Sequence, residues 1–123
     1  MNVEQFTKAY SESRNGANQF YRHSLNRNFV YSDGVQECAE AGCYWLVDIA
    51  ATEIPAVLRK KGETLGTFVA EVKKGVARLT CTGSGDVKLW GRKIDYTDLP
   101  EGRWVFFIGE DSSRYTMILR SEY

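Results

Sequence analysis

Two hydrophobic periods divide the chain. Before residue 62 two stretches repeat their apolar positions every three to four residues, and from Leu65 onward such positions alternate. The longest stripe, Val35, Cys38, Ala39, Gly42, Trp45, Leu46, Ile49 and Ala50, follows helical spacing and predicts an amphipathic helix. Gln36, Glu37, Glu40, Tyr44 and Asp48 fall mainly away from it. Asp33 is expected to cap its first turn, with Gln36 three residues on in the manner of a capping box. Pro55 is expected to stop this helix and open a second, short one, closed by Gly62 after Arg59-Lys60-Lys61. Val3, Phe6, Thr7 and Tyr10 predict a short helix over residues 3 to 10, ending at the turn signal Asn15-Gly16. Between them, residues 19 to 31 carry Phe20, Tyr21, Leu25, Phe29, Val30 and Tyr31 without a clean period, which predicts an extended, aromatic-rich connection.

The alternating half predicts five strands, at about 65 to 72, 76 to 82, 87 to 95, 103 to 109 and 115 to 120. Lys74-Gly75, Gly83-Ser84-Gly85-Asp86, Leu99-Pro100-Glu101-Gly102 and Asp111-Ser112-Ser113 separate them. These turns are too short for crossover helices, so the expectation is an antiparallel meander. Phe68, Ala70, Val72, Ala77, Leu79 and Cys81 supply one apolar face. The fold class expected is α+β, a single domain over residues 1–123 with N-terminal helices packed on one face of a C-terminal five-stranded antiparallel meander sheet.

Composition narrows the chemistry. With 123 residues, 43% hydrophobic, the chain can bury a core without a covalent staple. Its three cysteines, Cys38, Cys43 and Cys81, form an odd set that argues against a disulfide framework and is read as thiols in a reducing cytoplasm. The first residues lack the pattern of a signal peptide, and no run approaches the ~18 apolar residues of a membrane span, so no membrane association is expected. Sixteen Lys and Arg balance sixteen Asp and Glu, so any charged recognition is local.

Three stretches read together carry a resemblance: Phe20-Tyr21-Arg22-His23, Tyr31-Ser32-Asp33-Gly34-Val35, and Ala41-Gly42-Cys43-Tyr44-Trp45-Leu46-Val47-Asp48-Ile49-Ala50. With Ile94-Asp95-Tyr96-Thr97-Asp98-Leu99-Pro100 and the closing Ser121-Glu122-Tyr123, the chain resembles a family of small uncharacterised bacterial proteins found in prophages and integrated mobile elements. That family usually has a small residue where this chain has Cys43, which weakens a catalytic role for the thiol. The resemblance implies mobile-element origin and carries no activity.

Candidate chemistry is sparse. His23 with Asp33, Tyr31 and Asp48 could form an imidazole oriented by a carboxylate, suited to general base work. Asp33 and Asp48 lie fifteen residues apart on the expected helix, roughly 22 Å, so only one can serve His23. Tyr21, His23, Tyr31 and Asp33 are the candidate ligand pocket. A zinc site from His23 and the cysteines is disfavoured, because Cys38 and Cys43 sit about 140° apart around a helix. In the third strand, Lys88, Trp90, Arg92, Ile94 and Tyr96 are expected to point outward while Val87 and Leu89 point inward, with Arg78 and Thr80 beside them.

Phosphate-binding glycine loops, nucleophile elbows and metalloprotease helices are missing from the sequence, and no cofactor is expected. The first expectation is a non-enzymatic mobile-element accessory protein that contacts a host or competing-element protein through Trp90, Arg92, Tyr96 and Trp104, as an inhibitor of an antiviral defence such as CRISPR. The alternatives are a small-ligand or nucleotide-binding protein, conceivably an enzyme, with its pocket at His23, or a nucleic-acid-binding module using the basic aromatic sheet face. Aromatics exposed on that face would also suit a homodimer.

Overall fold

The computed structural model describes residues 1–12 and 16–123. The turn expected at Asn15-Gly16 begins outside them. The chain runs α1 (Val3–Ser11), β1 (Phe20–Arg22), β2 (Phe29–Ser32), α2 (Asp33–Cys38), a π-helical turn (Ala39–Cys43) and α3 (Tyr44–Lys61). It continues through β3 (Leu65–Lys73), β4 (Val76–Thr82), β5 (Lys88–Ile94), β6 (Gly102–Asp111) and β7 (Arg114–Leu119), with short 3-10 turns at Ser84–Asp86 and Arg120–Glu122. The architecture is α+β with a seven-stranded mixed sheet in the order β1-β2-β7-β6-β3-β4-β5, not a five-stranded antiparallel meander. Helical turns are also not confined to the N-terminal part.

Alternation placed the five C-terminal strands almost residue for residue, and among themselves they are antiparallel. Lys74 and Gly75 both take positive φ, at 52° and 75°, the two-residue turn whose twist matches its strands. The order of the strands differs from expectation, because β6 returns to pair with β3 instead of β5. β6-β3-β4-β5 is a Greek key. Residues 95–101 carry the chain across the end of the sheet, held to the hairpin tip by the Thr97 amide donating to the Gly75 carbonyl at 2.9 Å.

Two further strands form from the aromatic connection. β1 and β2 pair antiparallel, and β2 then pairs parallel with β7. With α2 and α3 between β2 and β3, the chain has room to bring β2 alongside β7 in the parallel sense.

The helical run differs from expectation in three ways. Ser32 is the N-cap, its hydroxyl accepting from the Val35 amide at 3.2 Å. Asp33 is the first helical residue, and Gln36 donates to Glu40 at 2.9 Å and to Tyr44 at 2.8 Å. At Gly42 the backbone opens to φ 130°, and the freed Ala41 carbonyl accepts the Asn2 amide at 2.6 Å, docking the start of α1 onto the kink. The wide turn changes the phase of the helix. Beyond it the fully buried stripe is Leu46, Val47, Ala50, Ala51, Ile54 and Leu58, while Trp45 and Ile49 are half-buried.

Pro55 neither stops nor divides α3, which continues to a left-handed Gly62. A proline leaves the carbonyl four residues earlier without its helical donor. That carbonyl, Ala51 O, accepts instead from the Asn26 side chain at 2.9 Å.

α2 to α3 spans 29 residues, and its most apolar stretch reaches a mean hydropathy of 1.3, enough by length and composition to cross a membrane. Half of that stretch is packed inside the fold. One core, between the helices and one sheet face, contains Phe6, Phe29, Phe68, Phe106, Tyr115 and Met117. Val3 and Thr7 lie on the exposed side of α1, whose packed side is Phe6, Ala9 and Tyr10.

Candidate functional site

His23 follows β1, and the fold turns its ring toward α3. Its Nε2 lies 2.7 Å from Asp48 Oδ1. Its Nδ1 accepts from the amides of Leu25 at 3.1 Å and Asn26 at 3.3 Å. Two donors aimed at Nδ1 fix the proton on Nε2, which donates it to Asp48. The ring is 4% exposed and lies edge-on to Phe29 and Tyr31. Both nitrogens are therefore engaged within the protein, and an imidazole held this way has no free lone pair to act as a base.

The other residues of the candidate pocket divide. Tyr31 packs beside His23, and Tyr21 stacks on Tyr31 at 5.9 Å between centroids. Burial, with Tyr44 and Asp48 nearby, pushes the Tyr31 phenol above its usual pKa. Asp33 serves the local turn, accepting from Gly34 at 3.1 Å and Asn18 at 3.4 Å. Of the two carboxylates the sequence offered to His23, the fold chooses Asp48. Asn26 went unnoticed in the sequence. Its signal was Pro55, which announces an orphan carbonyl at Ala51.

The four residues expected to form one contact surface also separate. Register decides this: Trp90 pairs with Cys81, Arg92 with Leu79 and Ile94 with Ala77, all buried on the helix side. Trp90, Arg92 and Ile94 thus point toward the helices, not outward, and the shift follows an irregularity at Cys81/Thr82. Trp90 packs on Phe68 at 5.9 Å. Trp104 lies under α1 against Phe6 at 5.0 Å and Tyr10 at 4.9 Å, its indole donating to Pro100 O at 2.9 Å.

Arg92 and Tyr96 share a feature that alternation could not show. Between α3 and β5, the last strand of the sheet, runs an open groove of about 1020 Å³. Trp45, Ile49, Val76 and Ile94 give it apolar walls, and Arg92 and Tyr96 stand at its rim. Arg92 is held to Glu53 of α3 at 2.6 Å, while Tyr96 is 93% exposed. Trp45 and Ile49 are available here because the π turn rotated them off the buried stripe.

The thiols are buried and reduced. Burial, with a smaller push from Asp98, raises Cys43 to about 12, and burial alone raises Cys81 to about 11. Thiols so disposed are poor nucleophiles. Among the described residues no three His, Cys, Asp or Glu side chains gather as a metal site.

Comparison with curated proteins and with solved structures finds no match. Residues 5–123 match the model of a family of unknown function, DUF6876, and since this is nearly the whole chain, the protein belongs to that family.

Proposed function

We propose that this protein is a non-enzymatic accessory protein of a bacterial mobile element that acts by binding a host or competing-element protein. In its most specific form the reading is inhibition of an antiviral defence such as a CRISPR complex. The observation that carries the binding role is the α3–β5 groove: an apolar floor with a half-buried tryptophan, a fully presented tyrosine and an arginine fixed by Glu53. Interface centres favour Trp, Tyr and Arg because these combine large contact area with few rotors or a rigid donor array. Mobile-element origin rests on the sequence resemblance.

The alternative of a small-ligand or nucleotide pocket at His23 has less support, since both ring nitrogens are bonded within the fold. The test uses the paired variant Tyr96→Ala/Arg92→Ala, which leaves the core untouched. Wild type should recover a defined partner from lysate of phage-infected cells and relieve host interference with phage growth. The variant should lose both at an unchanged melting temperature. Recovery of nothing above background, or equal recovery by the variant, defeats the proposal.

A further inference from the structure

The face of the sheet turned away from the helices carries charges in strict register. Lys93 of β5 opposes Arg78 of β4, Arg78 opposes Glu71 of β3, and Glu71 opposes Arg103 of β6. At about 4.8 Å per strand interval this row spans roughly 14 Å. Arg103 and Glu71 meet at 3.5 Å, and Lys93 reaches Asp95 at 3.5 Å. Among the described residues Arg78 has no such partner. It stands between Glu71 on one side and Lys93 on the other, and the like-charge pair with Lys93 is the unfavourable one.

The row floors a groove of about 890 Å³ that ends at the hairpin tip. Five cations, Lys73, Lys74, Arg78, Lys93 and Arg103, line it against two carboxylates, Glu71 and Glu101, leaving a local excess of three positive charges in a molecule of zero net charge. We propose that this groove binds the phosphate backbone of a nucleic-acid duplex without reading its bases. Guanidinium forks match phosphate oxygens in pairs, and a bound polyanion would relieve the Arg78–Lys93 repulsion. Among the described residues no aromatic ring lines the groove to stack an unpaired base, which favours a duplex over a single strand. Among the described residues, Val72 and Val76 are the apolar side chains that line it, a small anchor for a hydrophobic peptide or for entry into a membrane. The charged row lies on the sheet face turned away from α3, and the two grooves meet only at the hairpin tip, where Lys74 and Val76 line both; the row itself stands independently of the protein-partner proposal.

Fluorescence anisotropy with two labelled 20-bp DNA duplexes of unrelated sequence tests it. Three neutralised phosphates give a slope of about −2.7 in log affinity against log salt, so binding should weaken roughly 40-fold between 50 and 200 mM salt, equally for both sequences. Arg78→Gln and Lys93→Gln should each weaken binding and lower that slope by about one. Their melting temperatures should stay close to that of wild type, because Arg78 holds no ion pair among the described residues and the exposed Lys93–Asp95 pair contributes little to stability. Tyr96→Ala, which probes the other groove, should bind duplex like wild type. Absence of binding at 50 mM salt, or a slope unchanged in the Arg78→Gln/Lys93→Gln double variant, overturns the inference. So does tighter binding to phosphatidylserine vesicles or to polyglutamate than to duplex at matched salt.

Discussion

The Glu122 carboxylate is buried, with 6% exposure, and ties the β2–α2 junction to the end of β7. It accepts from the Ser32 hydroxyl, from the Leu119 amide at 2.8 Å and from the Gly34 amide at 3.3 Å. Ser32 is also the cap of α2, so the last turn of the chain steadies the start of the main helix. Net contributions of hydrogen bonds to a charged acceptor run about 1.5–3 kcal/mol each. Glu122→Ala removes all three acceptor contacts and strands two amides, for an expected loss of about 3–5 kcal/mol, since the long Gly34 bond and a rotating Ser32 hydroxyl soften the sum. Glu122→Gln keeps one oxygen for Ser32 and Leu119 but sets an amide donor against the Gly34 donor, for about 1–3 kcal/mol. In a chain of this length these correspond to melting shifts of roughly 10–20 °C and 4–12 °C. Urea unfolding at constant m value, with amide exchange at Gly34 and Leu119, measures the losses and their location. A Glu122→Ala protein within 0.5 kcal/mol of wild type, or a glutamine variant as damaged as the alanine one, would refute this account of how Glu122 fastens the start of α2.

Three more outcomes follow from the same geometry. Asn26→Ala should cost about 1–2 kcal/mol by stranding the Ala51 carbonyl, and less in a Pro55→Ala background, where a helical N–H returns to that carbonyl; additive losses in the double-mutant cycle would show the two are uncoupled. Trp90→Ala and Trp104→Ala should each lose about 2–4 kcal/mol, short of the range for full burial, while Tyr96→Ala stays within about 0.5 kcal/mol, as judged by denaturant midpoints; equal effects at all three would contradict their placement. Cys43 and Cys81 have folded pKa values raised from 9.0 to about 12 and about 11, so the stability tied to their neutral thiols is complete below pH 9. It declines as pH rises from 9 toward those values, by about 1.4 kcal/mol per unit for each group, because the unfolded chain ionises first. Unfolding midpoints from pH 8 to 10.5 should fall above 9 and fall less steeply in Cys81→Ala, and parallel profiles would exclude that cause.

The candidate site was legible only in fragments. His23 and Asp48 could be named from the sequence, but Asp33 competed for the same role, and only the docking of residues 23–28 on α3 chose between them. Arg92 and Tyr96 were named together with Trp90 and Trp104, yet β5 carries large apolar residues at neighbouring positions, Leu89 and Trp90, and both pack against the core beside the irregularity at Cys81/Thr82. Alternation could not say which face turns inward. Trp45 and Ile49 were assigned to the core because a regular helix would put them there, and the kink at Gly42 moved them to a groove wall.

What the sequence determined by itself is local: where backbone alternates, where glycine, serine and proline bend it, and which segments have an apolar side. Those features act over a few residues, and they located five strands, the hairpin turns and the helical half. Tertiary structure decided which strand lies beside which. A seven-residue connection after β5 is long enough either to fold back as a hairpin or to cross to β3, and the three-residue β1 gains its place only by pairing with β2. The same holds for the Arg78–Lys93 row and for the Glu122 clasp, where charges far apart in sequence meet because the sheet sets their register. Side-chain period records which face a residue shares; the neighbours on that face depend on the path of the whole chain.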